Sequence, residues 1–103
     1  MNPEGNLIIR DNLEVHRFEA QVGDSLAIAE YRLRDGVITF THTEVPEGLR
    51  GHGVASRLIK NALDESRAQQ YQVIPLCPFV AAYIRRHPEY QDLVVPRFNH
   101  LIS

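Results

Sequence analysis

The segment Arg50-Gly51-His52-Gly53-Val54-Ala55 constrains this chain more than any other stretch. It stands between a run rich in β-branched and aromatic residues, 37–43, and an amphipathic helical pattern over residues 54–70. The first turn of such a helix carries backbone N–H groups with no internal partner. With the helix dipole they form an anion site. Gly51 and Gly53 have no Cβ, so an anion can approach the backbone closely. Ala55, small and in the first turn, keeps that approach open. Arg50 adds a fixed charge whose planar fork suits phosphate oxygens. The bland alternative is a plain turn beside a solvated arginine; the order strand, glycine turn, helix favours a pyrophosphate cradle. Two other phosphate motifs are excluded. There is no Lys-Ser/Thr closing a long P-loop, and no Gly-x-Gly-x-x-Gly after the first strand.

The flanking pattern predicts the fold around this loop. Residues 7–9 suit a short edge strand, and Asp11-Asn12 a turn. From Leu13 the chain alternates as a strand to the Gly23-Asp24 turn, and a second strand runs from Leu26 to Leu33. Asp35-Gly36 suits a tight hairpin turn, because glycine tolerates the positive φ it requires. Residues 37–43 make the next strand, or one long strand running into a further one, so the first half reads as an antiparallel meander. In the helix, Val54, Leu58, Ile59, Ala62 and Leu63 share one face. Residues 72–76 form a short apolar strand with Pro75 at an edge, end or bulge. Pro78 opens a second helix with Cys77 just before it, and Pro88 stops it. Leu93–Val95 suits a last strand and residues 98–103 a tail. A strand–helix–strand unit implies a right-handed crossover with local parallel pairing. The expectation is an α/β fold: a mixed, mostly antiparallel sheet with two main helices, in a single domain over 1–103 with its core at about 12–95.

Composition narrows the function. The 103 residues fit one domain, which buries roughly 60–65% of its unfolded surface. A net charge of -2 gives no global field for nucleic acid or anionic lipid, so any anion site is local. The single cysteine cannot form an internal disulfide. No apolar run approaches the roughly 20 residues of a membrane span, and residues 1–10 show no signal pattern. The simplest reading is a cytoplasmic monomer. His16, His87 and His100 are scattered, and no pair has metal-ligand spacing, so no metal is expected.

At this point the residues resemble a known family. Arg50-x-x-Gly53-x-Ala55 matches the Arg/Gln-x-x-Gly-x-Gly/Ala signature of the GNAT superfamily of acyl-CoA N-acyltransferases. The run from His42-Thr43-Glu44-Val45-Pro46 through the loop to Pro75-Leu76-Cys77-Pro78-Phe79-Val80, with His87-Pro88-Glu89-Tyr90, resembles its small single-domain branch. The resemblance implies acetyl-CoA as cosubstrate and an amine of unspecified identity as acceptor. It implies a cofactor-binding stretch of Val45, Leu49, Arg50, Gly51, His52, Gly53, Val54 and Ala55, with backbone amides at 49–54 on the pyrophosphate. Larger relatives insert helices between the first two strands to shape the acceptor site, whereas this chain has only the turn at Gly23-Asp24. A non-catalytic acyl-CoA binding or sensing module is therefore the alternative reading, and a plain interaction domain the third.

Three residues are candidates for chemistry. Cys77 precedes a helix start, where the dipole favours thiolate, and the strand order puts it near the thioester. It reads as a nucleophile or as a small core residue. Glu44, with His42 and Glu30 as alternatives, could serve as general base; His42 and Glu44 share a face, so both meet the cleft or neither does. Tyr83 could protonate the leaving thiolate or simply pack. Arg85-Arg86 complements the C-terminal dipole of the second helix or reaches the cofactor's 3′-phosphate.

Overall fold

The computed structural model describes residues 7–103. Five strands form one sheet in sequence order: β1 (Ile8–Asn12), β2 (Arg17–Val22), β3 (Ser25–Arg34), β4 (Val37–Glu44) and β5 (Gln72–Pro75). The first four pair antiparallel and β5 joins β4 in parallel, the crossover being α1 (Val54–Ala68). A second helix, α2 (Pro78–Arg86), follows β5. The mixed, mostly antiparallel architecture expected from the sequence is the one found. The Asp35-Gly36 hairpin has positive φ at both residues, 52° and 78°, as a two-residue turn matched to strand twist requires. No helix among the described residues is long and apolar enough to cross a membrane.

The core lies between α1 and one face of the sheet. Val54, Leu58, Ile59, Ala62 and Leu63 are buried along α1, as the helical period predicts. Facing them are Phe18, Ala20, Ala27, Ala29, Tyr31, Ile38 and Phe40, all in the same core cluster. The small alanines of β2 and β3 let the helix approach, while Phe18, Tyr31 and Phe40 pack ring to ring at 5.4–6.4 Å. The opposite sheet face mixes charged residues with a few aliphatic ones such as Leu26 and Ile28. There Glu19 is only 4% exposed, and it accepts from Arg10, Asn12 and Arg17 at 3.0, 3.1 and 2.7 Å.

Local expectations are corrected at several points. Asp11 and Asn12 belong to β1 rather than a turn. The turn falls later, at residues 13–16, where a strand was expected to begin. The Asn12 side chain accepts from the Glu14 amide at 3.3 Å, a local bond that competes with strand pairing, and His16 takes φ 53°. Leu93–Val95 is not a strand: a 3-10 helix, Pro88–Leu93, runs into it, and only a parallel bridge between Val73 and Val94 remains. Prolines 88 and 96 bracket this piece and remove ladder donors. The tail forms a further 3-10 helix, Pro96–Leu101, and Ile102 is buried. α1 itself ends at Ala68, short of residue 70.

The C-terminal segment is latched to α1. Arg67 forks onto Asp92 with two 2.9 Å bonds and reaches the Glu89 carbonyl at 2.7 Å. Tyr90 donates to Asp64 at 2.6 Å, and Lys60 to the other oxygen at 2.8 Å. Burial alone would raise the Asp64 carboxyl, but the bonds from Lys60 and Tyr90 hold it below its ordinary value; Glu19 is likewise held down by Arg17, Asn12 and Arg10 against its burial. Depressed carboxylates stabilise the fold above their unfolded values, ordinarily 3.8 for Asp and 4.5 for Glu. That contribution disappears as pH falls through the lower folded values. Urea unfolding should therefore show stability declining between about pH 5 and about pH 2, and Glu19→Gln should flatten that decline.

Candidate functional site

The strand–loop–helix junction is built by a short sequence of turns. After Glu44 the chain leaves the sheet, and Glu47–Leu49 forms a 3-10 turn anchored by the buried side chain of Leu49. Its bonds take up two amides: Leu49 N–H donates to Pro46 O at 2.9 Å and Arg50 N–H to Glu47 O at 3.2 Å. Gly51 and Gly53 then take φ 81° and 74°, with Gly53 as N-cap of α1. These are left-handed values at which a side chain is strained. The first helical bond runs from Arg57 N–H to Gly53 O. The amides of residues 54–56 accordingly have no acceptor within α1. They form a row of partial positive charge at the helix start.

This row borders an open cleft of about 420 Å³. Thr43, Val45 and Leu49 supply one wall, Gly51, Gly53 and the start of α1 through Ser56 another, and Phe79 of α2 the third. Arg50 stands on its lip, fixed by an Nε–H bond to the Val45 carbonyl at 3.2 Å. A Cβ built on Gly51 would meet nothing within 4 Å, so the space above the amides is open. Apolar walls plus oriented donors can hold a flexible chain ending in a multiply charged anion.

A β-bulge decides which residues of β4 face the cleft. Glu30 pairs with His42 but Tyr31 with Phe40, leaving Thr41 as the extra residue. The extra residue reverses the inside–outside alternation. Phe40 points to the core, yet Thr43, three residues on, returns to the same face, aligned with Ala29 and Phe18. His42 and Glu44 lie on the opposite face, in rows with Arg17–Glu30 and Glu19–Ile28. Both are exposed, with His42 Nε2 at 3.6 Å from Glu44 Oε1.

The three chemical candidates are thus not gathered in one place. Cys77 is the nearest to the cleft. Its amide donates to Phe40 O at 2.9 Å, and its Sγ lies 3.3 Å from Thr43 Oγ1. It is 4% exposed, directly behind that cleft residue. Glu44 is outside the cleft. Tyr83 belongs to a separate aromatic stack, 3.9 Å from the His87 ring and 6.1 Å from Tyr90. Burial raises the Tyr83 phenol and keeps it protonated. Arg85 and Arg86 sit at the end of α2 remote from Phe79, and His52 is exposed without lining the cleft. Thr43, Ser56 and Phe79 are cleft residues that sequence reasoning did not single out. The bulge that turns Thr43 inward has no signature in the sequence. Among the described residues no three His, Cys, Asp or Glu side chains gather as a metal site.

β4 runs on past its parallel partner, beside a glycine-turned helix start, as the resemblance in the sequence implies. Residues 17–93 match the profile of the GCN5-related N-acetyl-transferases. The chain belongs to this family. Relatives include Protein NATD1 of Xenopus tropicalis, 23% identical over 92 residues covering 85% of this chain and 84% of that protein. Protein NATD1 of Gallus gallus and of Homo sapiens are each 33% identical over 52 residues, half of this chain and 47% and 46% of theirs. The chain therefore spans about half the length of several of the curated relatives it matches.

Gly51→Ala tests the conformation of the loop. With φ at 81° and no clash, the variant should fold and lose about 1 kcal/mol. That is a drop of roughly 4–8 °C in Tm for a domain of this size, read by thermal unfolding.

Proposed function

We propose that this protein binds acetyl-CoA in the cleft between β4, α1 and α2 and transfers its acetyl group to an amine. The observation that carries the reading is the start of α1, turned by two left-handed glycines, whose first amides lack an acceptor within the helix and border that cleft in a member of this family. Amides of Gly51, His52, Gly53, Val54 and Ala55, extended by Ser56, hold the pyrophosphate, and Arg50 adds its charge from the lip. Leu49 contributes packing rather than an amide, since its N–H and that of Arg50 are taken by the 3-10 turn. Val45, Thr43 and Phe79 enclose the pantetheine arm. In direct transfer the acceptor nitrogen attacks the acetyl carbon, the carbon–sulfur bond breaks, and coenzyme A leaves with the proton the amine gives up. Glu44 and His42, paired on the outer sheet face at the end of β4, are placed to take that proton only from an acceptor arriving on that face.

A second route is favoured by one specific contact. The Thr43 hydroxyl both lines the cleft and touches Cys77 Sγ. Cys77 would take the acetyl group with expulsion of coenzyme A, then yield it to the amine and recover its thiol. Both routes leave Tyr83 as a packed residue of the α2 stack.

Calorimetry with acetyl-CoA tests the binding. At 100 times its Kd the ligand should stabilise the fold by about 2.7 kcal/mol. Gly51→Val, which places a branched side chain over the amides, should weaken binding by about tenfold or more, whereas Cys77→Ala should bind normally. Absence of any heat or thermal shift with acetyl-CoA would remove the proposal. Coenzyme A release in the presence of amines, peptides and polyamines separates a transferase from a binding module. Mass spectrometry separates the routes: an acetyl adduct on Cys77, with activity lost in Cys77→Ala, marks the covalent one.

A further inference from the structure

A second cavity, of about 380 Å³, lies at the other end of the helix. Glu65 and Ser66 of α1, Gln69 just past its end, and Ile38 of β4 border it, whereas the acetyl cleft meets α1 only at Val54, Ala55 and Ser56. The helical rise from Ala55 to Glu65 separates the two by about 15 Å. Nothing in the proposed transfer uses this cavity.

Its walls have a distinct chemistry. Three aromatic rings contribute, Phe18, Tyr31 and Tyr71, together with two carboxylates, Asp11 and Glu65. No lysine, arginine or histidine lines it among the described residues. Neither carboxylate has an ion-pair partner among the described residues, in contrast to Glu19, Asp64 and Asp92. Asp11 accepts the Tyr31 hydroxyl, at 2.7 Å, and Glu65 the Gln69 amide, at 3.0 Å. The mouth is apolar: Leu13 and Leu33 line it and are 69% and 42% exposed. His16 stands outside, its ring centroid 6.2 Å from that of Tyr31.

We propose that this cavity binds an alkylammonium group, an organic cation with an apolar stem. Aromatic rings and unneutralised carboxylates attract a cation, and the leucines cover its stem. The same chemistry is offered by a free amine and by a lysine side chain of a peptide. The site is independent of the acetyl-CoA reading.

The test is a titration of the ¹⁵N-labelled protein with n-butylammonium chloride at constant ionic strength, with 1-butanol as the neutral control. A parallel arm uses an acetylated and amidated Gly-Ser peptide carrying one lysine. Shifts should appear at Asp11, Leu13, Leu33 and residues 65–71 and be small at residues 50–55. Butanol should bind about tenfold more weakly, and the double variant Asp11→Asn, Glu65→Gln should lose about tenfold in butylammonium affinity. The Asp11→Asn change keeps an oxygen acceptor for the Tyr31 hydroxyl, so this variant should fold. Tighter binding of the peptide than of butylammonium assigns the site to a lysine in a chain, and equal or weaker binding to a free amine. Equal binding of butanol, shifts confined to the acetyl cleft, or no shift with either probe overturns the proposal.

Discussion

The amides at the start of α1 are the constraint around which the rest of this small structure is arranged. Backbone N–H groups ordinarily find an acceptor when they leave water. Here the first amides of α1 find none within the helix, and two left-handed glycines turn the chain just before it begins. The surrounding elements keep that geometry in place. Leu49 anchors the 3-10 turn in the core, and the Arg50–Val45 bond ties the loop back to the end of β4. α1 is held in turn by a continuous apolar face against β2, β3 and β4.

The far end of the molecule supports the same site indirectly. α2 must bring Phe79 to the cleft, and with nine residues it is too short to be stable by itself. Its position is fixed from both sides. The Cys77 amide continues the hydrogen bonding of β4, and the latch of Arg67, Asp92, Tyr90 and Asp64 holds the following 3-10 segment to α1. The Tyr90 phenol, buried and donating to Asp64, is pushed up to about 12 and so stays a donor at neutral pH.

The elements with a strong periodic signal were legible in the sequence. The buried face of α1, the Asp35-Gly36 hairpin, the parallel crossover and the position of Cys77 before Pro78 follow from apolar spacing, glycine and proline. The errors fall where a weak local bond decides the outcome. Asn12 caps a turn that the alternation of Leu13 and Val15 disguised as strand. Prolines 88 and 96 set 3-10 helices on either side of Leu93–Val95, leaving the apolar stretch that read as strand a single bridge at Val94. For the candidate site, the loop was legible because it is local. The identity of the inward residues on β4 was not, since it depends on a cross-strand mismatch between Glu30 and Tyr31 that no single strand records.

That mismatch makes β4 a strand of two phases. Up to Phe40 its even-numbered residues face the helix; past Thr41 the odd-numbered ones do. The same sequence paired without interruption would carry His42 and Glu44 inward. A carboxylate would then stand at the cleft wall in place of the Thr43 hydroxyl, where it would repel the anionic ligand proposed for that cleft. One supernumerary residue therefore sets the sign of the field at that wall without altering the outline of the fold. A relative that lacks a counterpart of Thr41 keeps its hydroxyl inward by plain alternation. A relative of equal length whose strands zip regularly is expected to differ in the charge of its ligand before it differs in shape.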